Sequence, residues 1–258
     1  MRRIRLVIEY DGTSYVGWQV QPNGVSIQEK LNEALLKITK EPIQVHGSGR
    51  TDSGVHARAQ VGHFDTNVRM DASKFSVAMN SMLPRDIRIL YSEEVSESFH
   101  SRFSAKEKTY LYTIQQGPYA RVLTRNTALH IHHSLDLQAM QCAAKSCIGE
   151  HDFRAFMSTG RDVSNTVRTL SQSEWIKDGP FLYYVVTGNG FLYNMVRILV
   201  GTMIEIGMRR MPDDSIEKAL LSFDRRNAGP TAPAHGLTLM RVRYPDFDTD
   251  EVLKAFYE

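Results

Sequence analysis

One short segment concentrates the side chains that could carry out chemistry. Between Gly47 and Gly54, an arginine, Arg50, lies two residues before an aspartate, Asp52, with hydroxyl side chains around them. Glycines let the backbone turn sharply and approach a ligand closely, and a nearby guanidinium keeps a carboxylate ionised. The pattern therefore predicts a positioned carboxylate that could attack a sugar carbon or a base. The alternative at this point is a hairpin loop in which the Asp and Ser side chains only form hydrogen bonds with the backbone of the turn.

Two nucleotide-binding motifs are excluded by their glycine patterns. The segment 47–54 lacks the Gly-Lys-Ser/Thr end of a phosphate-binding P-loop. The segment that starts at Gly188 begins like a dinucleotide fingerprint, but Tyr193 stands where its last glycine belongs. Neither segment therefore predicts a nucleotide cofactor.

A metal site is also not favoured. His130, His132 and His133 lie close together, but no cysteine or carboxylate stands at ligand spacing, so a strand with solvent-facing imidazoles is preferred over zinc. The two cysteines, Cys142 and Cys147, lie five apart in a predicted helix and form neither a disulfide framework nor a metal-ligand spacing. A reducing cytoplasm is the expected compartment.

The elements that must position the aspartate segment follow from periodicity. Residues 3–10 alternate as a strand, and Ser26 with Glu29 forms a capping box that opens a helix along the stripe 27–38. Ile43 and Val45 begin a further strand, residues 61–64 and 87–91 are extended, and 75–82 form a second helix. The order β-α-β-β-α-β predicts a split βαβ pattern, with two helices on one face of a mainly antiparallel sheet.

The second half repeats nearly the same order of elements. Strands are predicted at 108–114, 175–176, 181–187 and 236–244, and helices at 135–148, 194–208 and 216–223. The predicted fold class is therefore α+β, with two ferredoxin-like halves joined into one fold. We expect an N-terminal half at 1–104, a second half at 105–245 and an acidic tail at 246–258, either a short helix or a frayed end.

Composition and charge point to a soluble protein with a basic body. The chain is 42% hydrophobic and 23% charged, and no apolar run approaches the roughly 20 residues of a membrane helix. The tail holds five acids and one base, so the rest of the chain is more basic than the net charge of +2. Such a body suits a polyanionic partner, although charge alone fits a solvated surface equally well. The basic clusters are Arg102/Lys106/Lys108, Arg154/Arg161/Arg168, Arg209/Arg210, Arg225/Arg226 and Arg241/Arg243.

The aspartate segment closely resembles a family signature. Residues 49–57, Gly-Arg-Thr-Asp-Ser-Gly-Val-His-Ala, are similar to the active-site motif of TruA-type tRNA pseudouridine synthases. Four further segments resemble that family's motifs in the family's order: Tyr10-Asp11-Gly12 with Gly17-Trp18-Gln19, Lys108 to Tyr112, Gly190 to Arg197, and Ala232 to Leu239. Because the matches span nearly the whole chain, chance is a poor explanation.

The resemblance implies a role for each of three residues. Asp52 corresponds to the catalytic aspartate, needed to break the bond between uracil N1 and ribose C1′. Arg50 corresponds to an arginine that helps to flip the target nucleotide out of its stack. Tyr110 corresponds to a tyrosine that packs on the uracil and is a candidate base for the C5 proton; a half-buried strand aromatic, as expected of Tyr112, is the alternative.

The resemblance also implies supporting residues, substrate and assembly. Arg197 corresponds to an arginine that pairs with the aspartate, and Thr51 and His56 are expected to support the loop. The implied reaction is the isomerisation of uridine to pseudouridine at tRNA positions 38, 39 and 40. A homodimer that binds tRNA is implied, and an isomerisation without redox change requires no cofactor or metal.

Two other functions stay open on the residues alone. A non-catalytic RNA-binding module could use the same sheet, but the Arg50–Asp52 pair would have no purpose in it. A glycoside hydrolase normally needs two carboxylates, and no second acid lies near Asp52 in sequence; the first acid after it is Asp65.

Overall fold

The computed structural model describes residues 1–158 and 165–255, and within them the chain forms two compact units. Unit 1 comprises Met1–Lys106 together with the residues from Thr238 onward, and unit 2 comprises Glu107–Leu237. The sequence had suggested a second half that continues to residue 245, whereas the last strand returns to the first unit. Arg161, one of the predicted basic residues, and Glu258, at the end of the acidic tail, lie outside the described residues.

Unit 1 is an α+β sheet structure in which the predicted β-α-β-β-α-β order is confirmed. Its strands run in the order β4-β1-β3-β10, and β2 also pairs with β3. The pairs within β1 to β4 are antiparallel, whereas β10 lies parallel to β3. The elements are β1 (Arg2–Tyr10), α1 (Ile27–Thr39), β2 (His46–Gly47), β3 (His56–Thr66), α2 (Lys74–Asn80), β4 (Ile87–Val95), β10 (Leu237–Arg243) and α6 (Thr249–Lys254).

The local sequence explains how α1 begins. The Ser26 hydroxyl accepts the amide of Glu29, and the Ser26 amide donates to the Glu29 carboxylate, both at 3.2 Å. This reciprocal pair satisfies amides that the first helical turn leaves free, so the predicted capping box is confirmed. The helix then buries Ile27, Leu31 and Leu35 along one face.

The strand predicted to begin at Ile43 and Val45 is wrong, since strand pairing begins only at His46. Side chains of α1 take the backbone groups that a ladder would use. Asn32 Oδ1 accepts the amide of Val45 at 2.9 Å, and Gln28 Nε2 donates to the Val45 carbonyl at 2.8 Å. The approach to β2 is therefore fixed by helix side chains rather than by a neighbouring strand.

The end of the chain completes unit 1. In β10, Thr238 and Leu239 pair with the first residues of β3. Farther on, the Phe247 ring covers the buried guanidinium of Arg5, with 3.6 Å from Cζ to the ring centroid. The acidic tail forms α6, whose N-cap Asp248 also pairs with Arg241. The alternative of a short terminal helix is thus the one observed for Thr249–Lys254.

Unit 2 is a second α+β structure, with strand order β5-β9-β8-β7 and with β6 parallel to β5. The helix predicted at 194–208 is confirmed as α4, which is buried along most of its length. The elements are β5 (Glu107–Gln116), β6 (Leu129–Ile131), α3 (Leu137–Lys145), β7 (Gly149–Asp152), β8 (Val167–Asp178), β9 (Phe181–Gly188), α4 (Met195–Gly207) and α5 (Ser215–Ser222). Over residues 1–158 and 165–255, no helix is both long and apolar enough to cross a membrane.

Candidate active site

The predicted catalytic aspartate lies in unit 1, on the loop 48–55 that joins β2 to β3. Arg50 is exposed, Thr51 is only 6% exposed, and Asp52 is half-buried between them and the turn at Ser53. The turn continues through Gly54, whose φ of 77° lies in the region that glycine favours. The loop thus presents Arg50 and Asp52 while Thr51, between them, points into the protein.

Backbone contacts hold this loop against the segment after β1. The Trp18 amide donates to the Thr51 carbonyl at 3.1 Å, and the Gly54 amide donates to the Tyr15 carbonyl at 3.3 Å. The Ser53 hydroxyl donates to the same Tyr15 carbonyl at 3.2 Å. Because these contacts lie on both sides of Asp52, the backbone that carries the carboxylate is fixed.

Two glycines make this close approach possible. Gly17 has a φ of 108°, and a Cβ there would lie 2.6 Å from the Thr51 carbonyl oxygen. A Cβ on Gly12 would collide with the Val55 carbonyl. The sequence linked the motif Tyr10-Asp11-Gly12 with Gly17-Trp18 to the family but gave it no role. In the structure, the loop 48–55, which we call the aspartate loop, packs directly against this motif.

A buried polar network lies under the loop. The Tyr10 hydroxyl is 2.8 Å from the Thr51 hydroxyl. The Ser48 hydroxyl donates to Gln60 Oε1 at 2.6 Å, and Gln60 Nε2 donates to the Gly49 carbonyl at 3.1 Å. Burial raises the pKa of Tyr10 to about 12, against the hydrogen bonds with Thr51 and Gln60 that lower it, so Tyr10 remains a neutral phenol. The network therefore holds Ser48, Gly49 and Thr51, the residues on either side of Arg50.

His56 connects the end of the loop to the same segment. The ring is 5% exposed, and Nδ1 accepts the amide of Gly12 at 3.1 Å. Nδ1 is also 3.1 Å from Asp11 Oδ1, but a nitrogen that accepts the amide proton cannot donate to the carboxylate. We assign the hydrogen bond to Gly12, since its amide direction is fixed by the backbone. Burial opposes a low pKa for Asp11, but hydrogen bonds from the side chain and backbone of Thr13, together with the nearby His56, lower that pKa.

Tyr110 lies in unit 2, on β5, opposite Val186 of β9. Its ring is largely buried and meets the Phe191 ring edge to face, with 5.0 Å between centroids. Tyr112, two residues later, is fully buried, and its hydroxyl donates to the Pro233 carbonyl at 2.8 Å. Tyr112 is therefore a core residue, more deeply buried than the half-buried strand position expected of it.

Arg197 lies near the start of α4, also in unit 2. Its Nε donates to the Ala232 carbonyl and its Nη1 to Asn194 Oδ1, both at 2.8 Å. Asn194 caps the helix in the left-handed region, with a φ of 61°. Farther along α4, a Cβ on Gly201 would collide with the Pro230 carbonyl. The segment 230–232, whose Ala232 carbonyl accepts the Arg197 hydrogen bond, therefore packs directly against the helix. These contacts fix the guanidinium within unit 2.

The predicted site residues thus fall into two local groups. Arg50, Thr51, Asp52 and His56 come together in unit 1, whereas Tyr110 and Arg197 lie in unit 2. Sequence reasoning missed Gln60 and gave no role to Tyr10. A signal for Gln60 was present: it shares a face of β3 with Gly62 and Phe64, opposite the buried face of β1, and a buried polar residue in such a series needs a partner.

The histidines that raised the question of a metal are arranged for other contacts. Nε2 of His130 lies 2.8 Å from the Gly117 carbonyl. The rings of His132 and His133 contact each other after the end of β6. Over the described ranges, no three His, Cys, Asp or Glu side chains are grouped so that they could hold a metal ion.

Comparison with known proteins gives one consistent result. The family model described as tRNA pseudouridine synthase matches residues 6–104 and 143–245. A tRNA pseudouridine synthase A of Ruminiclostridium cellulolyticum is 48% identical, with 95% of this chain and 100% of the relative covered. The tRNA pseudouridine synthase A 2 of Clostridium perfringens and the tRNA pseudouridine synthase A of Brevibacillus brevis are each 46% identical at the same coverage. These matches include the segments that form the aspartate loop and the motif that holds it. This chain therefore belongs to the tRNA pseudouridine synthase family.

Proposed function

We propose that this protein converts uridine to pseudouridine at positions 38, 39 and 40 in the anticodon stem-loop of tRNAs, with Asp52 as the catalytic residue. Family membership supports an isomerase that acts on tRNA uridine. In this reaction the bond between C1′ and N1 breaks and a bond between C1′ and C5 forms. N1 gains a proton and C5 loses one, so the overall change is an isomerisation.

The observation that carries the assignment of Asp52 is the way its backbone is held. Thr51 and Gly54 are hydrogen-bonded on either side of it, to Trp18 and Tyr15. A reacting group works best when its supporting residues are themselves locked by packing and hydrogen bonds. Arg50, exposed on the same loop, is suited to enter the space left by the extruded nucleotide. Extrusion costs a few kcal/mol and least where a base is weakly paired.

Four further residues receive proposed roles. Tyr110 packs on the uracil and is the candidate base for the C5 proton, and its edge contact with Phe191 supports a fixed ring. Arg197 supports the aspartate, and its two hydrogen bonds within unit 2 support a fixed guanidinium. Thr51 and His56 hold the loop through Tyr10 and Gly12.

We further propose a cytoplasmic homodimer that needs neither cofactor nor metal. The support for the last point is chemical, because breaking and remaking a bond at C1′ within one nucleotide transfers no electrons to another molecule. Analytical ultracentrifugation of the protein with and without tRNA tests the dimer. A single monomer mass at concentrations well above those of the activity assay would contradict it.

Release of tritium from tRNA that carries 5-tritiated uridine tests the reaction and the residue together. Forming the C5–C1′ bond must expel the hydrogen at C5, so wild type should release tritium and Asp52→Asn should not. Asp178→Asn, at an exposed turn of unit 2, is the matched control and should keep full activity. Release by Asp52→Asn at the wild-type rate would leave the reaction standing and remove Asp52 as catalyst.

The same assay separates the alternatives. Tight tRNA binding without release by wild type would favour the RNA-binding module, and release of free sugar from glycosides would favour the glycoside hydrolase. Transcripts in which a single target uridine is replaced by cytidine then test the positions. Loss of one third of the release with each replacement at 38, 39 or 40 is expected; release that does not respond to any of the three would overturn the site assignment.

A further inference from the structure

An exposed aromatic side chain lies on a tightly built turn of unit 1, after β4. Phe103 is 76% exposed. The turn that carries it is closed by His100, whose Nδ1 accepts the amides of Arg102 at 3.1 Å and Phe103 at 3.4 Å. Ser104 closes the turn again, since its amide donates to the His100 carbonyl at 2.9 Å and its hydroxyl accepts the His100 amide at 3.0 Å. The exposed ring therefore stands on a fixed base.

A row of aromatic rings runs from Phe103 through the buried His63 to His46, which is exposed. The Phe103 ring lies 4.3 Å from the His100 ring, which lies 4.7 Å from the His63 ring of β3. His63 in turn is stacked 5.2 Å from His46 of β2. We call these four residues the ring stack. Its last member lies in the short strand that leads directly into the loop of Asp52.

The segment that carries the exposed ring is basic. The Arg102 guanidinium lies 5.7 Å from the Phe103 ring centroid. Arg102 and Lys106 are both exposed, and the segment 100–106 contains no acid. Positive side chains next to an exposed aromatic ring are the combination that binds a single-stranded nucleic acid, in which cations track the phosphates and rings stack on bases.

Two histidines of the ring stack, His63 and His100, add no charge near neutral pH. Burial lowers the pKa of His63 to about 4, with smaller contributions from His100, Arg3 and His46. Burial also lowers the pKa of His100, and His46, Arg3 and Arg102 act in the same direction. His63 and His100 are therefore a neutral support behind Phe103, and Arg102 and Lys106 provide the charge.

We propose that Phe103 is a stacking platform for an unpaired or extruded base of the tRNA, with Arg102 and Lys106 on the neighbouring phosphates. Sequence-tolerant RNA recognition uses aromatic stacking of this kind. A second copy of the chain is the less favoured occupant, because two copies would bring the same cations together. The inference rests on the proposed function, and it names a part of the substrate's binding surface.

Binding of unmodified tRNA at several salt concentrations tests the platform, with all proteins also carrying Asp52→Asn so that the substrate is not consumed. Phe103→Ala should weaken binding by about 5- to 100-fold, as expected for the loss of one stacked base. Phe103→Trp should retain wild-type affinity. Phe103→Ala should leave the slope of log Kd against log salt unchanged, whereas Arg102→Gln should lower that slope by about 0.7–0.9.

Val77→Ala is the matched control, since Val77 is 73% exposed in the same unit but belongs to α2 and not to the ring stack. It should not change the affinity for tRNA. Wild-type affinity in Phe103→Ala overturns the inference, and so does a change from dimer to monomer in sedimentation, which would assign the surface to a second copy. Failure of the proposed function is a separate result, because it would appear as absence of tritium release by the protein with Asp52 intact.

Discussion

The hydroxyl of Tyr10 lies 2.8 Å from the hydroxyl of Thr51, inside unit 1 and one residue before Asp52. Through this contact the last residue of β1 holds the loop that carries Asp52. Tyr10→Phe keeps the ring and removes the hydroxyl with its hydrogen bonds to Thr51 and Gln60, so we expect a stability loss of about 1 kcal/mol together with a fall in kcat. Thermal unfolding and tritium release measure the two effects.

Tyr184→Phe is the matched control for that prediction. The Tyr184 hydroxyl also forms a buried hydroxyl pair, 2.8 Å from the Ser173 hydroxyl, but both residues lie in unit 2. We expect a similar loss of stability without a fall in kcat. Equal kcat values for Tyr10→Phe and wild type would show that the hydroxyl contact stabilises the fold but does not position the aspartate.

Gly17→Ala should lower stability and activity together. The substitution adds a Cβ 2.6 Å from the Thr51 carbonyl at a φ of 108°. Strain of this kind costs about 1–3 kcal/mol, and relief requires the loop to move. Gly179→Ala, at a φ of 53° with open space around it, is the control for backbone strain alone. We expect Gly179→Ala to retain full tritium release. If Gly17→Ala also retained full release, the close approach of Gly17 to the Thr51 carbonyl would not be required for activity.

Arg197→Lys tests whether a guanidinium is needed near the start of α4. Lysine keeps the charge, but it cannot bond Ala232 and Asn194 at once in the geometry of the arginine fork. Since hydrogen bonds from charged groups are worth about 1.5–3 kcal/mol, we expect kcat to fall about tenfold or more. Arg125→Lys, on an exposed turn of unit 2, should be neutral. An unchanged kcat and melting temperature in Arg197→Lys would remove Arg197 from the proposed site.

Stability should depend on pH through His63. Its pKa is about 4 in the folded protein against an ordinary value of 6.5, so the unfolded chain binds more protons between these values. The contribution of neutral His63 is therefore complete above about pH 6.5 and is lost as the pH falls toward 4. Burial is the main cause of the low pKa; His100, Arg3 and His46 also disfavour the proton, and Asp65 favours it.

Melting temperatures measured from about pH 7.5 down to about pH 4.5 test this dependence. His63→Gln should flatten the decline, even if its melting temperature at neutral pH is lower. His133→Gln, exposed in unit 2, should leave the wild-type profile unchanged. Identical profiles for His63→Gln and wild type would assign the acid sensitivity to other groups.

The sequence correctly predicted the elements that are specified by interactions between residues close together in the chain. The capping box of Ser26 and Glu29 and the apolar run of α4 each specify a helix without reference to distant residues. The strand at Ile43 and Val45 failed because Gln28 and Asn32 take its backbone hydrogen bonds. That competition comes from tertiary contacts, which alternation of residues cannot reveal.

The candidate site divides in the same way. Asp52 and Arg50 were found because their residue types are unusual between glycines and because they match a family motif. The supporting roles of Tyr10 and Gln60 were missed because nothing in the neighbouring sequence distinguishes them from an ordinary tyrosine at the end of a strand and an ordinary glutamine inside one. Their importance arises from pairing with Thr51, Ser48 and the Gly49 carbonyl, which only the folded backbone brings near.

The return of the last strand to unit 1 has a consequence for protein synthesis. A ribosome delivers Thr238 and Phe247 only after it has made all of unit 2, yet β10 pairs with β3 and Phe247 covers Arg5. Domains usually fold as they emerge, the N-terminal one first; here the nascent N-terminal unit must wait for the other to be translated. A premature stop after unit 2 would therefore damage the unit that carries Asp52, although every residue of the aspartate loop had already been made.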